Sequence, residues 1–434
     1  MNFPDFPSVE AYLNSLINYE HAFPLGGARD RLKLEPSLDA AKRLNLPLRL
    51  EKTIHVAGTK GKGSTVAFLE VLLSPEARVL SLTSPHVVHV KERVRFKGDV
   101  LADELWERGV GSITEAMNRE PRLRLTYFET IFVFFLWAVR KLGTDTHVVE
   151  VGLGGRWDAT NILEDTLAVI TTVDFDHTEI LGDTLGAIAS DKAGIIKPRC
   201  PLIIGRQAQE ALDTILRVAE DQEAAPVFTF GEDFGWSDEG GGRFRYEDRT
   251  FRAEHLTLAA EGRHQRDNAA MAIRAARHLF PRLTAEETRR RLARCVIPGR
   301  QQLISGRPEV LVDVAHNPIS FRALSETLKE KFSQRRILAV VGMMKDKDAR
   351  ASLQAIRPYV SELLAVNLSS PRTRPAEEMR VEAEALGIPA RVAKTREQAF
   401  AALHEAGDHD LGLVAGSFYL VGDYLTWRQR AGIA

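Results

Sequence analysis

Short apolar runs at residues 53–56, 78–82, 147–151, 167–171 and 201–204 alternate with stretches whose apolar positions recur at helical spacing. Such runs, bounded by glycine, proline and serine, read as buried strands. Between them, 66–72, 103–118, 127–142 and 185–194 read as helices. Two short helices precede the first strand. One places Val9, Tyr12, Leu13, Leu16 and Ile17 on a face, with Ser8 as its expected N-cap, and is broken at Pro24-Leu25-Gly26-Gly27; the other carries Leu38, Ala41 and Leu44. Strands alternating with helices predict a parallel sheet covered on both faces.

The pattern changes near Gly231. Residues 227–259 are aromatic-rich on either side of Asp238-Glu239-Gly240-Gly241-Gly242-Arg243, which reads as the turn of a small antiparallel appendage. A helix pair follows at 265–280 and 285–295. After Pro298-Gly299 the alternation resumes, with strands at 310–314, 337–341, 363–366 and 411–415 and helices at 319–332, 349–356 and 376–386. The expected fold is α/β. A P-loop-type, mostly parallel sheet domain with a small antiparallel appendage spans 1–297, and a second, smaller Rossmann-like α/β domain spans 298–434. A chain of 434 residues accommodates both.

Composition narrows the function classes. Apolar residues make up 44% and charged residues 27%, as in an ordinary soluble globular protein. The net charge of −1 supplies no basic field for nucleic acid or a membrane surface. Cys200 and Cys295 are too few and too far apart in sequence for a disulfide framework or metal cluster. The most apolar run, 131–139, is far short of the ~20 residues that span a bilayer. The N-terminal residues carry neither the basic nor the apolar part of a secretory signal. A cytoplasmic, monomeric protein with no nucleic-acid or membrane partner is expected.

Candidate chemistry starts at Gly58-Thr59-Lys60-Gly61-Lys62-Gly63-Ser64-Thr65, between a strand and a helix. That arrangement presents backbone N–H groups and a helix N-terminus to a phosphate chain. Lys62 adds a positive charge, and Ser64 or Thr65 a hydroxyl near a metal or phosphate. The alternative is a glycine-rich turn with no ligand. Ser84, Glu150 and His177 lie at expected strand ends, on the side of the phosphate loop. A hydroxyl and a carboxylate suit Mg²⁺, although imidazole is an unusual ligand for it. Taken singly, Glu150 reads equally as a water-facing carboxylate and His177 as a capping histidine. By spacing, Lys192 is a solvated helix lysine, although a buried lysine can be neutral and reactive. Asp313 and His316 stand at a strand-to-helix turn before Asn317-Pro318. Asp313 could accept hydrogen bonds from ribose hydroxyls; an Asx-type turn explains it equally well.

The ordered set of motifs resembles the folylpolyglutamate synthase and dihydrofolate synthase family, a branch of the Mur ligase superfamily. It comprises the loop at 58–64, Thr83-Ser84-Pro85-His86, the run from Glu150 to Asn161, Asp176-His177-Thr178, Asp191-Lys192-Ala193-Gly194, Gly262-Arg263-His264-Gln265 with Asn268, Pro298-Gly299-Arg300, and Asp313 to Pro318. Asp346-Lys347-Asp348 and Ala415-Gly416-Ser417 continue it. The resemblance implies an ATP-dependent ligase that joins L-glutamate to a reduced folate or dihydropteroate carboxylate through an acyl phosphate. It implies ATP contacts at Gly58, Thr59, Lys60, Gly61, Lys62, Gly63, Ser64, Asn268, Arg300 and Asp313, and catalytic roles for Lys62, Lys192 and His316. It places one Mg²⁺ on Ser84, Glu150 and His177, and makes Lys192 a carbamylated lysine, its carbamate derived from CO₂, that helps place a second Mg²⁺. The pterin-bearing substrate is expected near Leu25, Gly26, Gly27, Tyr127, Phe128, Glu129, Trp157, Asp158 and Ala159. Lys60, Trp157 and Val314 depart from the family's usual Asn, Leu and Gly. A Mur-type ligase acting on another carboxylate, or a nucleotide-binding protein without catalysis, are the alternatives.

Overall fold

The computed structural model describes residues 3–19, 32–405 and 410–433. The expected chain break and substrate positions at Pro24, Leu25, Gly26 and Gly27 lie outside them. The described chain divides into two compact units. One comprises residues 1–86, 90–257 and 266–293; the other gathers 87–89 and 258–265 with 294–434.

In the first unit eight strands form one sheet: β1 (Lys52–Ala57), β2 (Val79–Leu82), β3 (Val94–Phe96), β4 (Asp99–Val100), β5 (Thr146–Glu150), β6 (Leu167–Ile170), β7 (Leu202–Ile204) and β8 (Val227–Thr229). Their order is β4-β3-β2-β5-β1-β6-β7-β8. All neighbours are parallel except at the β2-β3-β4 edge. The interior strands β1, β5 and β6 are buried nearly throughout, which is why they read as continuous apolar runs.

Two apolar cores cover the sheet. One gathers Val9 and Leu13 with Trp106, Ile113 and the aromatic residues of helix Tyr127–Leu142. The other gathers Ile188, Ile195, Ala211 and Ile215. Helix Tyr127–Leu142 was legible to the residue. Thr126 and Glu129 close a capping box at its start, and Gly143, with φ +61°, ends it in the left-handed conformation. It packs on helix Asp103–Asn118, where Trp106 stacks on Phe134 with ring centroids 4.0 Å apart.

Three sequence expectations change. Asp5, not Ser8, caps the first helix, Phe6–Ser15, and its carboxylate accepts the Ser8 amide. The Phe6-Pro7 start pushes the cap upstream, since proline suits the first helical turn. Helix Gln209–Asp221 was not anticipated, although Ala211, Ile215 and Ala219 lie on one face. Because that helix is the crossover from β7, residues 227–229 return parallel to β7 and join the large sheet rather than the appendage. The appendage is therefore only β9 (Phe234–Gly240), β10 (Arg243–Asp248) and β11 (Arg252–Leu256), antiparallel throughout. Its hairpin turns at Gly241-Gly242, both at positive φ, as a two-residue turn compatible with strand twist requires.

The second unit is a six-stranded sheet of β12 (Gln302–Ile304), β13 (Glu309–Asp313), β14 (Ile337–Val341), β15 (Val360–Ala365), β16 (Ala390–Val392) and β17 (Leu411–Ala415). The order is β12-β13-β17-β14-β15-β16, parallel except for β12. Helices Pro318–Phe332, Ala349–Ile356 and Ala376–Ala385 fill one face; Arg396–His404 and Phe418–Arg430 fill the other. Among the described residues no helix is long and apolar enough to cross a membrane.

A Cβ at Gly109 would stand 2.5 Å from the Phe134 ring and 2.8 Å from Trp137. Gly109→Ala is expected to lower unfolding free energy by roughly 1–3 kcal/mol through overpacking. A denaturant titration measures this as a lower midpoint at unchanged slope.

Candidate active site at the strand ends

Sheet register decides which loops meet. Val56 of β1 pairs with Glu150 of β5, Ala57 with Ile170 of β6, and Leu82 of β2 with Val149. The segments after Ala57, Leu82, Glu150 and Ile170 therefore emerge side by side at one edge. That edge is the carboxyl end of a parallel sheet, where ligands of open α/β folds gather.

The phosphate-type loop leaves β1 at Gly58 and enters helix Lys62–Leu73 at Gly61, whose φ of +86° is left-handed. Space excludes side chains as firmly as conformation does. A Cβ at Gly58 would lie 1.8 Å from Thr171 Oγ1, and one at Gly61 would lie 2.2 Å from Asn268 Oδ1. Asn268, on helix Arg263–Leu279, is thus brought directly onto the loop. The amides of Thr59 and Lys60 both donate to the Thr172 carbonyl, at 2.9 and 3.2 Å. The Lys60 ammonium donates to Asp174 Oδ2 at 2.8 Å. These groups of Thr59 and Lys60, expected on phosphate, already have protein partners. The amides at the start of the helix, around Gly63 and Ser64, keep the N-terminal geometry that favours an anion.

Two lysines converge behind the loop. Lys62 Nζ donates to the Gly58 carbonyl at 3.1 Å, and Lys192 Nζ donates to the same oxygen at 3.0 Å. Lys192, the last residue of helix Leu185–Lys192, is buried rather than solvated. Burial first, then the nearby Lys62 charge, pushes its pKa down to about 7, against the pull of Asp176, Asp191 and Asp158. A substantial fraction of this amine is therefore neutral near neutral pH. The helix end is held against the loop after β5. A Cβ at Gly155 would meet the Asp191 and Lys192 carbonyl oxygens at 2.7 Å, and the Arg156 amide donates to Asp191 O at 2.9 Å.

Ser84 and Glu150 are brought together: the Ser84 amide donates to Glu150 Oε2 at 3.0 Å, and both residues are buried. The carboxylate lies against the first turn of the phosphate-loop helix, 3.4 Å from where a Gly63 Cβ would stand. His177 stands in the loop after β6, at φ +50°, with Nε2 3.9 Å from Asp176 Oδ2. Among the described residues no three His, Cys, Asp or Glu side chains cluster as a metal site. The oxygen donors Ser84 and Glu150, beside a phosphate-type loop, nevertheless suit a hard divalent cation that shares its ligands with phosphate.

The expected substrate positions separate by environment. Tyr127 is buried, and the Arg93 guanidinium lies 5.0 Å from its ring centroid. Glu129 is engaged in the capping box, and burial raises its pKa. Phe128 touches the loop after β5, since a Cβ at Gly152 would meet its ring at 2.8 Å. Asp158 is buried with a raised pKa and accepts the Leu153 and Thr160 amides at 2.9 and 3.0 Å. Ala159 is buried, whereas Trp157 is 40% exposed.

In the second unit, Asp313 ends β13 opposite Ala415 of β17. Its carboxylate accepts the Gln301 and Ala315 amides at 2.9 and 2.6 Å. His316 Nδ1 lies 3.0 Å from the Val314 carbonyl, and its ring is 6.0 Å from that of Phe418. The Arg300 guanidinium lies 4.9 Å from the Phe418 centroid. Arg300, Asp313 and His316 thus share one strand-end cluster, with Phe418 between Arg300 and His316. Val314 fills the space that a side chain at Gly299 would need, 2.9 Å from its ideal Cβ. Sequence reasoning missed Phe418, Asp174, Thr171 and Gln301. Only Asp174 carried a local signal, its place in the acidic strand-end run Asp174-Phe175-Asp176-His177.

The family described as Mur ligase, glutamate ligase domain, matches residues 299–418. A curated relative, the dihydrofolate synthase/folylpolyglutamate synthase of Bacillus subtilis, is 32% identical over 91% of this chain and 95% of its own length. The chain belongs to the dihydrofolate synthase/folylpolyglutamate synthase family. Its fold agrees. A solved structure of E. coli FolC in complex with DHPP and ADP superposes with a TM-score of 0.86 at 31% identity, over 99% of this chain and 98% of that one. The Yersinia pestis bifunctional folylpolyglutamate synthase/dihydrofolate synthase with Mn, AMPPNP and L-glutamate bound gives 0.82 at 30% identity, over 97% of each chain.

Burial lifts the Asp313 pKa from 3.8 to about 6. Between those values the unfolded chain has lost this proton while the folded chain keeps it, so stability falls as pH rises through the window. The unfolding free energy of the wild type relative to Asp313→Asn is expected to drop by roughly 2 kcal/mol from pH 4 to 6. Denaturant titrations of both proteins across that range measure it.

Proposed function

We propose that this chain is an ATP-dependent ligase that forms an amide between the amino group of L-glutamate and a carboxylate of dihydropteroate or a reduced folate, releasing ADP and phosphate. The observation that carries the reading is the convergence of Lys62 and Lys192 on the Gly58 carbonyl, with the Ser84–Glu150 pair at the same sheet edge. The Lys62 ammonium, with the partly protonated Lys192 amine beside it, concentrates positive charge where a helix N-terminus already favours an anion. An ATP triphosphate relieves that repulsion.

The chemistry follows from charge. A carboxylate does not condense with an amine at neutral pH, because the leaving group would be oxide. Transfer of the γ-phosphoryl group to the substrate carboxylate makes an acyl phosphate and ADP. The glutamate amine then attacks the acyl carbon, and phosphate leaves as the C–O bond breaks. The protein's task is alignment and neutralisation of charge. Lys62 and the helix-start amides hold the terminal phosphates, and Asn268 lies over the loop for the nucleotide. Ser84, Glu150 and His177 would hold a divalent cation, which when bound neutralises phosphate oxygens. Arg300, Asp313 and His316 are the second unit's candidate nucleotide contacts. Trp157, Phe128 and the loop after β5 offer flat apolar surface for a pterin.

The Lys192 amine is the form able to add CO₂, giving a carbamate and a proton. That converts a buried cation, disfavoured beside Lys62, into a carboxylate-like group able to pair with it or support a second cation. Localisation in the cytoplasm and a monomeric state complete the reading.

Phosphate release is expected only when ATP, L-glutamate and either dihydropteroate or tetrahydrofolate are all present. A coupled assay with each acceptor offered separately measures it, and no release with either would favour another carboxylate. Lys192→Ala is expected to lose at least about a hundredfold in kcat without rescue by bicarbonate, as for removal of a group that acts in the transition state. Full activity in that variant would overturn the carbamate.

A further inference from the structure

The phosphate loop carries a second cation that the ligation chemistry leaves unused. Lys60 points to Asp174 Oδ2 at 2.8 Å, across from β1 to the loop that follows β6. The same two loops are joined five more times. Thr59 and Lys60 donate their amides to Thr172 O, Thr59 Oγ1 donates to Asp174 O at 2.9 Å, and the Asp174 amide returns to Thr59 Oγ1 at 3.1 Å. Thr171 Oγ1 donates to Lys60 O at 2.6 Å. On its far side the β6 loop is clamped by Gln207, which accepts the Val173 amide at 2.9 Å and donates to Thr171 O at 2.7 Å. Asp174 Oδ1 is occupied by the Phe175 amide at 2.8 Å, so the carboxylate has a defined orientation toward Lys60.

We propose that Lys60 and Asp174 form a latch that fixes the phosphate loop against the loop bearing His177, making Lys60 a positioning residue rather than a phosphate ligand. Thr59 and Lys60 share one backbone acceptor, the Thr172 carbonyl, and the remaining bonds between the loops run through the Thr59 and Thr171 hydroxyls. The ion pair adds a charged side-chain constraint to those of the two hydroxyls. Both side chains are about one-third exposed, 34% and 31%, so the pair adds little to global stability. Its effect is local: it lowers the cost of ordering the loop when nucleotide binds. The pair also keeps the Lys60 charge about a negative partner instead of adding it to Lys62 and Lys192.

For its functional consequence the latch rests on the nucleotide-ligase reading, and the test separates the two. In nucleotide-free full-length protein, hydrogen exchange at the Thr59 and Lys60 amides is expected to quicken roughly threefold or more in Lys60→Met and in Asp174→Asn, and to stay near wild type in Lys60→Arg. Unchanged exchange in both Lys60→Met and Asp174→Asn overturns the latch. In equilibrium titrations with ADP, each single variant is expected to bind roughly three- to tenfold more weakly, and the double variant no more weakly than the worse single one, because both remove one interaction. Weakening by Lys60→Met alone, with Asp174→Asn equal to or tighter than wild type, overturns the proposal in favour of direct phosphate contact. Wild-type protein that fails to bind ADP counts against the nucleotide reading, and the exchange result then decides the latch by itself.

Discussion

One backbone oxygen organises the first unit's site. The Gly58 carbonyl accepts from both Lys62 and Lys192, 134 positions apart in the chain for the second. That sharing requires three things at once. β1 must end where it does, so that Gly58 turns back under the loop. Helix Leu185–Lys192 must deliver its last residue inward, and the loop after β5 must lie against that helix end. The close approach at Gly155 meets the last requirement, since any side chain there would strike the Asp191 and Lys192 carbonyls. A buried ammonium is costly without such partners. Here the cost appears as the depressed pKa of Lys192, which favours the neutral amine.

The buried acids divide into structural and chemical groups by what they accept. Asp158 is saturated by Thr160 and the Leu153 amide, and Glu129 caps its helix. Both fix loops that border the site. Glu150 accepts the Ser84 backbone amide and lies against the first turn of the phosphate-loop helix. In the second unit Asp313 is likewise held by backbone donors. Its two backbone donors hold the strand-to-helix turn, while the Arg300 charge opposes the burial that raises its pKa. The ordinary Asx-type turn and the functional reading are therefore compatible at that residue.

Much of this was written locally. Helix Tyr127–Leu142 carries its own cap, its own stop and an apolar surface too wide for a surface helix, so its limits required no tertiary information. The strands β1, β5 and β6 announced themselves as buried runs, and the candidate site residues lie in the loops that follow them. Helix Gln209–Asp221 was missed although Ala211, Leu212, Ile215, Val218 and Ala219 recur at helical spacing, and with it went the parallel return of β8.

By itself the amino-acid sequence determined the βα alternation, the phosphate-type loop and the set of chemistry-bearing residues, because short-range periodicity, capping and glycine placement act over a few residues. Tertiary structure decided what spacing could not: that Lys192 is buried on the Gly58 carbonyl, that Ser84 meets Glu150, that Lys60 turns to Asp174, and that Phe418 joins Arg300 and His316. Each of these depends on which strands are neighbours. Strand order is set by crossover packing across the whole sheet, and no local stretch of the chain encodes it.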